Sequence, residues 1–335
     1  MKAAVLRDPG GLPEYGDFEE PPVPPGRELV ELVAAGIHPV VRSLAAGRHY
    51  GSEGTYPMIP GVDAVARTAA GELVYTGYVQ PPYGTLAERM AVPATAKLPL
   101  PEGAEPARVA GGLNPGLSSW LPLRSRRSEA GTLGTVLILG ATGMAGLLAV
   151  QNARLLGADR VIAAGRDQAR LRLAAVHGAT TVPLPAAPGT ASAPGFAGGD
   201  RNPTAAALAE ALGGEAPGLV LDFVWGAPAE ATFIALARHG LGEDDADISY
   251  VQIGALAGAE AAVPAALLRS RRIRITGSGA GSASLETMMA EIPVYLRMIA
   301  EGAVVVPVRV FPLSAVTDAW AASTGGGERV VVVPG

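Results

Sequence analysis

Hydrophobic and polar positions follow two different patterns along this chain. Up to about residue 118, short apolar runs such as Leu29-Val30-Glu31-Leu32-Val33 alternate with turns such as Pro21-Pro22-Val23-Pro24-Pro25-Gly26. Brief strands bounded by turn residues read this way. Further strands are expected at 64–67, 73–75 and 86–92, and no long helix is expected before Ala107. From about Ser119 strands alternate with helices. Strands are expected at 136–139, 161–164, 181–184, 219–224, 248–253 and 273–276, and helices at 147–157, 204–212 and 227–238. The last part predicts a helix over 285–300, a strand over 304–310, a short helix over 314–322 and a strand over 329–333. The loop at 186–202 is too polar and glycine-rich to pack well; it reads as a mobile surface insertion or a lid.

The stretch Val136 to Asp167 organises the second pattern. Val136-Leu137-Ile138-Leu139 suits a strand buried on both faces. Gly140-Ala141-Thr142-Gly143-Met144-Ala145-Gly146 breaks it, an apolar helix follows, and Val161-Ile162-Ala163-Ala164 returns as a strand. Strand, glycine turn, helix, strand is the unit that binds dinucleotides, because backbone N–H groups at the helix start face the pyrophosphate. The spacing departs from the plain fingerprint: Thr142 stands where the second glycine would fall. At the end of the second strand an NAD site usually carries an acid for the ribose hydroxyls. Here Gly165 holds that position, with Arg166 next and Arg170 one turn on. A neutral residue with two guanidiniums suits a 2′-phosphate and predicts NADPH. Asp167 is the competing reading, as a ribose ligand.

Composition narrows the field. The 335 residues are enough for two domains, and 49% hydrophobic residues supply a large core. A net charge of -5 argues against a nucleic-acid or membrane-surface partner. There is no cysteine, hence no disulfide, thiol nucleophile or cysteine metal site. The N-terminus becomes charged too soon for a signal peptide, and no apolar run is long enough to span a bilayer, so a cytoplasmic protein is expected.

Five stretches in order carry a resemblance: Ala34-Ala35-Gly36-Ile37-His38-Pro39, Ile59-Pro60-Gly61-Val62-Asp63, Tyr83-Gly84-Thr85-Leu86-Ala87-Glu88, Gly116-Leu117-Ser118-Ser119-Trp120 and the glycine turn. Together they resemble the medium-chain dehydrogenase/reductase superfamily, in its zinc-independent quinone oxidoreductase branch. The resemblance implies an α/β fold, with a Rossmann doubly wound parallel sheet joined to a GroES-like β-rich catalytic domain. The domains expected are 1–118 (catalytic), 119–281 (NADP-binding) and 282–335 (return to the catalytic domain). It also implies a homodimer and a small-molecule substrate of quinone or enone type. Where zinc-dependent relatives place ligands, this chain has His38, Val62 and Asn114, which do not make a three-ligand zinc site. No metal is expected. The branch's usual Asn-Pro-x-Asp is replaced by His38-Pro39-Val40-Val41, which implies a reshaped substrate pocket.

Hydride transfer to an enone or quinone develops negative charge on the carbonyl oxygen, so donors must face it and a proton must arrive. Tyr50 matches a tyrosine of enoyl-reducing relatives and reads either as donor or as an aromatic lid. His38 reads as proton relay or as structural histidine. Asn114 reads as a ligand of substrate or nicotinamide ribose, or as the cap of a helix starting near Leu117. His177 and His239 fall at helix ends, where they cap carbonyls. Trp225, Gly254, Ala255, Gly277 and Ser278 follow successive strands and are expected at the cofactor edge of the sheet, although glycine turns alone account for them too. The leading reading is a zinc-free, NADPH-dependent reductase of quinones or activated C=C bonds. A biosynthetic enoyl or carbonyl reductase and a non-catalytic NADPH-binding protein remain open beside it.

Overall fold

The computed structural model describes residues 1–185, 202–238, 241–279, 281–282, 284–325 and 327–335. The loop expected at 186–202 lies outside them except for Asn202, and so does His239. The chain opens with β1 (Lys2–Val5), β2 (Glu14–Asp17), β3 (Arg27–Gly36), α1 (Pro39–Ala45), β4 (Asp63–Arg67), β5 (Leu73–Gly77), β6 (Arg89–Pro93) and β7 (Leu98–Pro99). It continues with α2 (Pro106–Ala130), β8 (Thr135–Leu139), α3 (Met144–Leu155), β9 (Arg160–Gly165), α4 (Gln168–Val176) and β10 (Thr180–Pro183). Next come α5 (Pro203–Leu212), β11 (Leu219–Asp222), α6 (Gly226–Ala235), β12 (Ile248–Gln252), α7 (Ala265–Ser270), β13 (Ile273–Gly277) and α8 (Leu285–Ala300). β14 (Val308–Pro312), α9 (Val316–Ala322) and β15 (Arg329–Val333) complete it.

Two compact units result: residues 1–115 with 290–335, and residues 116–289. Both joints lie inside helices, α2 and α8, so neither is marked by a loop, although the first falls at Asn114-Pro115-Gly116. The sequence predicts a helix start near Leu117; α2 instead runs through that point from Pro106, and the missing N–H of Pro115 is tolerated inside it.

The first unit is an antiparallel β-rich body. Its larger sheet has the order β14-β15-β3-β4-β5-β7, with β6 also on β3; only β14 and β15 run parallel. Its core joins Val30, Leu32, Ile37, Ile59, Leu86 and Met90 to Trp320 and Val332 from the end of the chain. The expected strand at 304–310 begins only at Val308, because Pro307 has no N–H to give a ladder.

The second unit is a six-stranded parallel sheet of order β10-β9-β8-β11-β12-β13. Its central strands β8, β9 and β11 are buried on both faces, as their unbroken apolar runs require, whereas the edge strands β10 and β13 are largely open. Val136, Ile138, Val161, Leu219 and Leu221 face a core with Leu123, Leu147 and Val150 of α2 and α3. Leu137, Leu139, Ile162, Val220 and Tyr250 face another with Leu208, Leu212 and Phe233 of α5 and α6. Helices on both faces of a parallel sheet make the α/β doubly wound arrangement, beside the β-rich unit. Among the described residues no helix is long and apolar enough to cross a membrane.

Candidate cofactor and active site

All six strands of the parallel sheet run the same way, so their carboxyl ends share one edge. That edge is where open α/β sheets bind ligands. The turn after β8 leaves Leu139 through Gly140, whose φ of +83° lies in the left-handed region. A Cβ there would also sit 2.8 Å from Cγ1 of Val224. The N–H groups of Gly140 and Ala141 both donate to the carbonyl of Ala164, at 3.0 Å each, which ties the turn to β9. At Gly146 a Cβ would lie 2.4 Å from the Gly140 oxygen, so only glycine lets α3 settle onto the turn. Gly143 differs from both: the nearest atom to its Cβ position is an ordinary 3.6 Å away, and the residue is exposed. It is the N-cap of α3, extended and with no side-chain cap. The first N–H groups of a helix have no partner within it, and those of Met144 and Ala145 stand in that position in α3. This cradle fits a pyrophosphate.

The end of β9 explains the missing acid. Gly165 has an ordinary strand backbone, but a Cβ on it would lie 2.5 Å from Cγ2 and 3.1 Å from Oγ1 of Thr142. Thr142, which the sequence pattern sets at the second glycine although Gly143 takes that place at the helix start, thus occupies the room of a side chain at 165. Asp167 is committed elsewhere. It is the N-cap of α4; one carboxylate oxygen accepts the Arg170 N–H at 3.1 Å and the other lies 3.3 Å from Arg170 Nε. That capping role accounts for its place at the helix start without a ribose. Arg170 is therefore partly engaged, whereas Arg166 is exposed at the strand end.

Trp225, Gly254, Ala255, Gly277 and Ser278 stand at the same edge, after β11, β12 and β13. Trp225 takes a φ of 56°, rare for a side-chain-bearing residue, and its ring packs edge-on against Phe233 and Tyr250. Gly254 lies against β11, where a Cβ would be 2.6 Å from the Phe223 oxygen. Ala255 is exposed just beyond it, and the Ser278 N–H donates to the Gln252 carbonyl, at the end of β12, at 2.8 Å. Holding this corner is Asp222, which the sequence reading passed over. Its carboxylate is fully buried and accepts from the N–H groups of Val224 (2.8 Å) and Trp225 (2.9 Å) and from the Tyr250 hydroxyl (2.6 Å). Burial raises its pKa, and the three hydrogen bonds pull the other way. An aspartate closing an otherwise apolar strand was the available signal.

In the β-rich unit, His38 is 2% exposed and stands as the N-cap of α1. Its Nε2 lies 3.3 Å from Oδ1 of buried Asp63, within ion-pair range but without hydrogen-bond alignment. The other Asp63 oxygen accepts from the Tyr75 hydroxyl at 2.7 Å. Buried Arg329 donates to the Ile37 carbonyl at 3.2 Å; desolvation lowers its pKa to about 10, and the charge of Asp63 opposes that shift. Sequence reading found His38 but neither Asp63, Tyr75 nor Arg329, which the chain brings together from distant segments. Gly36 makes room for this group: a Cβ there would be 2.6 Å from His38 Nε2 and 2.5 Å from the Ala110 oxygen. Asn114 follows Ala110 by one helical turn and is half-buried. The reading of Asn114 as a helix cap is overturned, since it lies in the interior of α2. Val41 is a core residue at 1% exposure. Tyr50 is 78% exposed, with its ring beside that of His49 at a centroid distance of 4.0 Å. His177 is the C-cap of α4, and burial lowers its pKa. Among the described residues no three His, Cys, Asp or Glu side chains are grouped to hold a metal ion.

No family model matches the chain. The probable NADPH-dependent quinone reductase tdiC of Emericella nidulans is 30% identical, over 96% of this chain and 96% of that protein. The quinone oxidoreductase of Thermus thermophilus, solved also in complex with NADPH, is 29% identical with a TM-score of 0.71, covering 99% of this chain and all of that one. A mycobacterial quinone oxidoreductase shares the fold, with a TM-score of 0.77 at 20% identity and full coverage of both chains. The chain belongs to the medium-chain dehydrogenase/reductase superfamily, among its quinone oxidoreductases.

Proposed function

We propose that this protein is an NADPH-dependent oxidoreductase that reduces quinones, or activated C=C bonds of enone type, without zinc. The observation that carries the cofactor is the end of β9. Thr142 closes the position an acid would use, Asp167 is spent on capping, and Arg166 is left exposed beside the cradle of Gly140 to Gly146. A guanidinium and no carboxylate at that place favours a phosphorylated ribose. The acceptor class follows the quinone reductases of Emericella and Thermus.

In this reading Met144 and Ala145 give their N–H groups to the pyrophosphate, and Arg166, assisted by Arg170, holds the 2′-phosphate. Trp225, Gly254, Ala255, Gly277 and Ser278 line the remainder of that edge. NADPH supplies a hydride from C4 of its nicotinamide. The protein's part is to fix the acceptor carbonyl, offer its oxygen a hydrogen bond, and allow a proton to reach it. Tyr50, with an exposed phenol, is the donor; His38, sealed beside Asp63, acts as a positioning residue; Asn114 orients substrate or ribose. The working form is a cytoplasmic homodimer, as the family resemblance implies.

Absorbance at the NADPH band, followed across a panel of simple quinones, enones and ketones, tests the reading. Rapid oxidation with a quinone or enone, by protein free of stoichiometric zinc, is the expected result. NADPH binding without turnover on any member of the panel would overturn it.

A further inference from the structure

The two departures from the dinucleotide fingerprint are one feature. We propose that Thr142 sets the cofactor preference, by occupying the only space in which an acidic side chain at position 165 could stand. The inference rests on the functional reading above and deepens it.

The three atoms nearest a Cβ at Gly165 all belong to Thr142: Cγ2 at 2.5 Å, Oγ1 at 3.1 Å and Cβ at 3.4 Å. The first is closer than real Cβ atoms come. The last is an ordinary contact. Truncating Thr142 to alanine therefore removes both close atoms and leaves nothing nearer than 3.4 Å. Nor does the backbone forbid a side chain, since Gly165 is absent from the residues of positive φ and pairs in register with Pro183. The backbone of Thr142 has little freedom to retreat, so relief would need its side chain to rotate. Its turn is held by the paired bonds of Gly140 and Ala141 to Ala164 and by the bond of Gly143 to Gly140. The threonine thus acts by exclusion: it shuts out the carboxylate that would hold ribose hydroxyls and repel a 2′-phosphate, and so leaves the place to Arg166.

Four variants decide this: Gly165→Asp, Gly165→Ala, and each combined with Thr142→Ala. Thermal melts without cofactor read the steric part. Both single variants should melt below the parent, and Thr142→Ala should restore part of the loss in each; the alanine pair shows the effect without charge. Fluorescence titration with NADPH and NADH reads the specificity part. Gly165→Asp alone should bind both weakly. The Thr142→Ala/Gly165→Asp variant should lose NADPH affinity and gain NADH affinity, each by about tenfold or more, the scale of a charge-assisted hydrogen bond gained or lost. A Gly165→Asp single variant that melts like the parent and prefers NADH would overturn the proposal, as would double variants no more stable than the singles. A parent chain that binds neither dinucleotide would overturn the functional reading and the specificity part with it, while the melts would still decide whether the two positions interlock.

Discussion

Each unit of the molecule buries an aspartate against a tyrosine, and the two pairs are built differently. Asp222 in the parallel-sheet unit meets Tyr250 at 2.6 Å and two backbone N–H groups, with no ion pair to a cation among the described residues. Asp63 in the β-rich unit meets Tyr75 at 2.7 Å, but its other oxygen lies beside the His38 imidazole and its charge acts on buried Arg329. The first aspartate is used as an acceptor that pins a strand-to-helix corner. The second is used as a charge. A buried carboxylate is therefore not one kind of feature; its partners decide whether its oxygen atoms or its charge matter.

Substitutions separate the two roles. The largest effect is expected from Asp222→Ala, which orphans two N–H groups and a buried phenol; about 3 kcal/mol should be lost in urea denaturation. Asp63→Asn should cost about 2 kcal/mol, because buried Arg329 loses the nearby anion. Arg329→Gln in the same chain should make that change cheaper, and simple additivity would remove the charge role. Asp222→Asn should cost less than about 1 kcal/mol, since an amide oxygen still accepts both N–H groups and the Tyr250 hydroxyl can turn to accept. Equal costs for the two asparagine variants would erase the contrast.

A pH series sharpens it further. Burial raises the Asp222 pKa above its ordinary 3.8, so the native chain holds that proton more tightly than the unfolded chain. The stability this group contributes is then greatest in acid and declines as pH rises through the raised value. Asp222→Asn should gain on the parent as pH rises above the ordinary carboxylate value of 3.8; a difference constant with pH would contradict this. The smallest structural effect belongs to Tyr50, which lies in neither cluster. Tyr50→Phe should change stability by less than about 0.5 kcal/mol, yet slow turnover with NADPH binding intact; an unchanged rate would remove Tyr50 from the chemistry.

Much of this architecture was legible because it is local. The run Val136 to Leu139, the glycines that follow and Val161 to Ala164 state a strand-turn-helix-strand unit within some thirty residues of sequence. The change from strand-and-turn to alternating pattern near Ser119 likewise marks two kinds of unit. What escaped depends on neighbours distant in sequence. Asp63 gains its meaning from His38, Tyr75 and Arg329, which no spacing connects. Thr142 and Gly165 each stand out in the sequence, but their contact appears only when β8 and β9 lie side by side. Asn114 misleads for the opposite reason: Pro115 is a strong local signal, and a helix of 25 residues overrides it.

The strand order of the β-rich unit bears on how the protein is made. β15 lies between β14 and β3, where Val331 pairs with Gly36 and the Ile37 N–H reaches the Val330 carbonyl at 2.9 Å. The other unit is a single uninterrupted stretch, 116–289. During translation it can fold once residue 289 has been made, while the earlier residues 1–115 still lack β14 and β15. Until β15 is added, Ala35 and Gly36 at the end of β3 and the following Ile37 lack the partner that helps bury them in the finished protein. An open apolar edge of this kind attracts other strands. A strand some three hundred residues further along the sequence thus closes the first unit, against the segment from Ala35 to Ile37.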